Sequence, residues 1–90
     1  MKTYTTHQGL ATCLRFALGD AAHLRTYRRR DGRINFEFAD PEGKTDEIAK
    51  LFFSGELATG DARALLECDR AVRTTVRAAL ESNGQWRNEQ

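Results

Sequence analysis

The alternation of Ile34, Phe36 and Phe38 with Arg33, Asn35 and Glu37, set directly after Asp31-Gly32, constrains this chain more than any other stretch. An apolar side chain at every second position suits a strand with one buried face, because successive side chains leave opposite faces of the backbone. Asp-Gly accepts the positive φ values of a tight hairpin turn. The two strands then run over roughly 23–30 and 33–39. A two-residue turn sets Tyr27 opposite Phe36, and Arg25 and Arg29 opposite Phe38 and Ile34. In that register Tyr27 packs on Phe36 and Leu24 falls on the other face. A bulge or a three-residue loop gives a different register, and the sequence leaves both open.

Helical periodicity accounts for most of the remainder. Residues 3–6 read as a short strand. Thr5 then stands three residues before Gln8, the spacing of a capping box, and Leu10, Leu14, Ala17 and Leu18 form a helical stripe that Gly19 ends. After the turn Asp40-Pro41-Glu42-Gly43, a second helix is expected from about Asp46 to Ser54. Its apolar positions are Ile48, Leu51 and Phe52, and Gly55 is its stop. A longer helix from about Asp61, the expected N-cap, to Ser82 carries the stripe Leu65, Val72, Val76 and Leu80. Cys68 and Ala79 lie alongside it, and Asn83-Gly84 ends it. The order β-α-β-β-α-α predicts an α+β domain: a small antiparallel sheet with a β-hairpin, covered on one face by about three helices. Residues 1–84 are expected to form the single compact domain and 85–90 a frayed tail, from which Trp86 can dock back on the body.

Ninety residues suffice for one domain with a small core. Hydrophobic residues make up 40% and charged residues 30%, which favours a folded soluble domain over disorder. The cysteines, Cys13 and Cys68, are too few and too far apart for a disulfide framework, and both adjoin apolar stripes. No apolar run approaches the roughly 20 residues that span a bilayer, and the first residues lack the apolar run of a signal peptide. The expectation is cytoplasmic.

Net charge is only +1, so attraction to a polyanion must come from local clustering. Five arginines, Arg25, Arg28, Arg29, Arg30 and Arg33, fall within nine residues around the expected turn. Glu37, Asp40, Glu42, Asp46 and Glu47 follow, so the charge is a dipole that either steers a partner or satisfies itself within the fold. An arginine fork matches phosphate and carboxylate geometry, and a two-stranded ribbon can track a nucleic-acid backbone. Tyr27, if exposed, is available to stack on a base. Edge arginines also simply keep sheets from aggregating. The helix arginines Arg63, Arg70, Arg73 and Arg77 have local acids at hand: Glu67 follows Arg63 by four residues, and Asp69 precedes Arg73 by four.

No catalytic constellation is legible. His7 and His23 lack metal-ligand spacing, and the carboxylates near 40–47 have ordinary turn and helix-dipole uses. Gly43-Lys44-Thr45 lacks the upstream glycine of a phosphate loop, since position 38 is Phe. A histidine–cysteine site requires a tertiary proximity that spacing does not give. We expect no catalytic, metal or cofactor site.

The segments T-T-H-Q-G-L-A-T-C-L, H-L-R-T-Y, R-I-N-F-E-F-A-D and G-D-A-R-A-L-L-E-C-D-R-A-V-R together resemble DUF5659, a family of uncharacterised bacterial and phage domains. The resemblance spans roughly residues 4–77 and rests on apolar and turn positions. It implies a fold and a mobile-element setting, but no catalytic residues. The Arg28-Arg29-Arg30 run looks particular to this chain.

The sequence thus points to a non-enzymatic accessory or binding module with the five hairpin arginines as contacts to nucleic acid or an acidic protein. The alternative is a protein–protein or homodimerisation module in which those arginines only solvate the ribbon.

Overall fold

The computed structural model describes residues 1–57, 60 and 62–81. The domain is α+β, in the expected order. Strand β1 (Lys2–Thr5) leads into helix α1 (Gln8–Leu18), and a 3-10 turn at Asp20–Ala22 leads into the hairpin β2 (His23–Arg28) and β3 (Ile34–Ala39). Helices α2 (Thr45–Ser54) and α3 (Ala62–Leu80) follow. The sheet is antiparallel, ordered β1-β3-β2, so the apolar strand takes the centre. Central placement suits β3, whose Phe36 and Phe38 are 1% and 0% exposed. They meet Leu10, Cys13 and Leu14 of α1, Ile48 of α2 and Val72 of α3 in one core cluster.

The hairpin register corrects the two-residue turn. Arg29 N–H donates to the Arg33 carbonyl at 2.7 Å and Gly32 N–H to the Arg29 carbonyl at 3.0 Å. The loop is therefore Arg30-Asp31-Gly32, with Gly32 at φ +90°. Asp31 Oδ1 accepts from Arg33 N–H at 3.0 Å and stiffens it. The one-residue shift moves the odd-numbered β2 residues to the opposite face. Tyr27 now faces Asn35 and Arg25 faces Glu37, while Thr26 lies opposite Phe36. Tyr27 therefore does not pack on Phe36, and Arg25 is not opposite Phe38. Cross-strand chemistry favours this outcome: Arg25 meets a carboxylate and the Tyr27 hydroxyl meets an amide, where the alternative set an arginine against phenylalanine.

A bulge interrupts the ladder between His23 and Arg25, so that Leu24 and Arg25 share the partner position of Glu37. Leu24 turns outward, 45% exposed, and His23 is restored to the Phe38 side.

Helix α1 is capped by His7, whose Nδ1 accepts from Leu10 N–H at 3.1 Å. The capping-box reading is corrected: Thr5 Oγ1 instead accepts from His7 N–H. Leu10, Ala11, Thr12, Cys13 and Leu14 are all buried, because α1 runs between the sheet, α2 and α3 instead of covering one of them. Ala17, expected in the stripe, is exposed. On α3, Val72 and Ala79 are buried, whereas Leu80 is 50% exposed at the last turn. Asp61 as N-cap, the Asn83-Gly84 stop, the frayed tail and the docking of Trp86 fall on residues outside those described.

Candidate functional site

The alternation of β2 divides the five arginines, so they form no single surface. Arg25 lies on the sheet face away from the core and Arg28, opposite Ile34, on the core side. Arg29, Arg30 and Arg33 occupy the loop and its hydrogen-bonded ends. Arg30 and Arg33 are exposed, and Arg29 is half-exposed beside Asp31, with Nη2 and Oδ2 3.5 Å apart. An exposed pair at that distance contributes little.

Arg25 is occupied by the fold. Its Nε donates to Glu37 Oε1, and its guanidinium stands 4.8 Å from the centre of the Tyr27 ring. Lys2 of β1 reaches the other oxygen of Glu37 at 3.2 Å. Glu37 is 2% exposed and so ties both outer strands to the central one. Burial pushes the Glu37 carboxyl up, but hydrogen bonds from Arg25 and Lys2 outweigh it and hold the group below its ordinary value. Tyr27 is 6% exposed, and its hydroxyl accepts from Asn35 Nδ2 at 2.9 Å. A ring so covered offers no stacking platform.

Asp40 of the acidic run is likewise taken up by the fold. Asp40 is 2% exposed and caps the start of α2 from the preceding turn. Its oxygens accept from Lys44 N–H at 2.9 Å, Thr45 N–H at 2.9 Å and the Thr45 hydroxyl at 2.6 Å. Led by the Thr45 hydroxyl and the Lys44 N–H, these bonds hold its carboxyl below the ordinary range. Glu42 pairs with Lys44 at 2.9 Å. Within the charge dipole, the Arg25–Glu37 contact closes on itself inside the chain. On α3, Asp69 pairs with Arg73 at 2.9 Å.

His7 caps α1. His23 lies on the core face, stacked 4.7 Å from the Phe38 ring, between Arg15 and Thr26. Burial pushes both thiols up, Cys13 by that cause alone and Cys68 with help from Asp20, which is the reverse of what a reactive thiolate needs. Among the described residues no group of three or more His, Cys, Asp or Glu side chains is placed to hold a metal ion. No helix among them is long and apolar enough to cross a membrane.

No family model matches this chain, and no curated protein or solved structure matches it either. What sequence reasoning missed is the structural work of Arg25, Glu37 and Asp40. The signal for it was the Arg25/Glu37 pairing, visible only in the three-residue-loop register.

Proposed function

We propose that this domain is a small non-enzymatic binding module that presents its hairpin tip to an anionic partner, nucleic-acid phosphate first. The observation that carries the reading is the tip itself: Arg29, Arg30 and Arg33 on a loop whose backbone is braced by three hydrogen bonds. A braced loop loses little conformational freedom on binding, so the guanidinium groups need less ordering than they would on a flexible arm. The contact set narrows from five arginines to three, because Arg25 is committed to Glu37 and Arg28 turns toward the core side.

Three phosphate contacts predict a modest salt dependence, with a slope of log K against log salt of about −2.7 for duplex DNA. The test is fluorescence anisotropy with labelled single- and double-stranded DNA and RNA across a salt series. The expected result is binding that weakens with salt and is lost in R29A/R30A/R33A, while Arg25→Gln weakens it little. Absence of binding at low salt, or equal binding by the triple variant, overturns the reading.

A second reading, docking onto a protein surface or a second copy, is favoured by Phe53 and Leu66, which are 64% and 63% exposed. It predicts concentration-dependent sedimentation that Phe53→Ser abolishes.

A further inference from the structure

His23 sits in a chain of hydrogen bonds that has only one possible direction. Arg15 Nη1 lies 2.8 Å from His23 Nδ1, and a guanidinium can only donate, so Nδ1 accepts and carries no proton. The ring proton is therefore on Nε2, which donates to Thr26 Oγ1 at 2.8 Å. The Thr26 hydroxyl donates to Thr75 Oγ1 at 3.0 Å, and the Thr75 hydroxyl to the Val72 carbonyl at 2.7 Å. One continuous line thus runs from α1 through β2 into α3, with the neutral imidazole as its only member that can change protonation near neutrality.

We propose that His23 is a proton-operated clasp, holding α3 on the sheet while its ring is neutral and loosening it when the ring takes a second proton. That proton has to go on Nδ1, where it faces the Arg15 guanidinium, donor against donor and cation against cation. The ring must then turn out from between Arg15 and Phe38, and Thr26 loses the donor that orients its hydroxyl toward Thr75.

The surroundings offer the imidazolium nothing in exchange. From α1 it meets Arg15, and from β3 the rings of Phe36 and Phe38. From α3 it is reached through Thr75, while Glu67 and Cys68 line a groove beside Arg15. Asp20 in the 3-10 turn, its side chain 77% exposed, pairs with Arg15 instead, Oδ1 and Nε lying 3.3 Å apart. On β2 itself, Arg28 shares the face at the far end and Arg25 points away. No carboxylate among the described residues pairs with His23. Burial first, and the Arg15 charge second, hold the ring below its ordinary value of 6.5. This device is independent of the hairpin tip.

The test is amide hydrogen exchange of residues 72–79, corrected for the intrinsic pH effect, between pH 7.5 and 5. It is run in a His7→Asn background, since His7 also accepts through Nδ1. Opening of α3 should rise by up to about tenfold per pH unit between 6.5 and the folded-state value. His23→Gln keeps one acceptor and one donor without titrating, and should flatten that slope. An equal slope in His23→Gln overturns the proposal. Should that variant fail to fold, the His23 ring resonance followed by NMR decides in the unaltered chain. A midpoint that does not coincide with the loss of α3 protection overturns the clasp, and coincidence supports it.

Discussion

Glu37 shows how much structural work one side chain carries in a domain of this size. It is buried, charged and bonded to a cation from each outer strand. Removing one side of a buried ion pair costs about 3–5 kcal/mol when both partners are fully enclosed. Here Lys2 is 60% exposed and Arg25 35%, so water recovers part of the loss. Glu37→Gln should therefore cost about 2 kcal/mol, read from urea unfolding at pH 7. The pH dependence has a definite sign. With its folded value depressed below 4.5, Glu37 contributes stability above that pH and loses it as pH falls through the folded value. Asp40 acts in the same direction from an ordinary value of 3.8. Acid titration of Asp40→Asn and Glu37→Gln should show lower stability at pH 7 and a shallower decline below about pH 4 than the parent. Single-residue roles were the least legible in the sequence. Histidine is outside the favoured N-cap set, so His7 gave no signal while the Thr5–Gln8 spacing gave a misleading one. Asp40 was visible as a turn acid, but its grip on Thr45 depends on how the turn folds.

At the scale of elements the sequence was more explicit. All three strands and three helices were legible from period and breakers, with boundaries shifted by a residue or two, because alternation and helical stripes report burial directly. Partnership was not legible. Whether Arg25 meets Phe38 or Glu37 depends on one residue of loop length, which Asp-Gly does not decide. Likewise α1 was read as amphipathic, whereas contact with three neighbours buries Ala11 and Thr12 as well. The hairpin makes a sharp prediction here. A Cβ added at Gly32 would touch nothing, so the penalty of Gly32→Ala is one of backbone conformation at φ +90°. It should cost about 1–2 kcal/mol and lower Tm without abolishing the fold, as thermal denaturation will show. If the tip binds an anion, the same change should also weaken that binding by loosening the loop.

For the whole molecule, cohesion is unevenly distributed. The sheet and α1 share Phe36, Phe38, Leu10 and Leu14, whereas α3 contributes Val72 to the core cluster, packs the half-buried Val76 against it and adds hydroxyl links at Thr12–Asp69 and Thr26–Thr75. Phe36→Ala or Phe38→Ala should cost about 3–5 kcal/mol, close to the whole stability of a small domain, and leave little cooperative transition in a melt. Val72→Ala removes less volume and should leave the sheet protected while α3 exchanges faster, because weakly attached elements open before the core does. The bulge at Leu24 has a consequence of another kind. Two residues there answer to one partner, and the outward one packs into no core. A chain shortened by that residue would keep His23 inward and Arg25 outward, with every later side chain on its present face. Strands ordinarily tolerate no change in length without turning themselves inside out, but this one carries a spare link at Leu24.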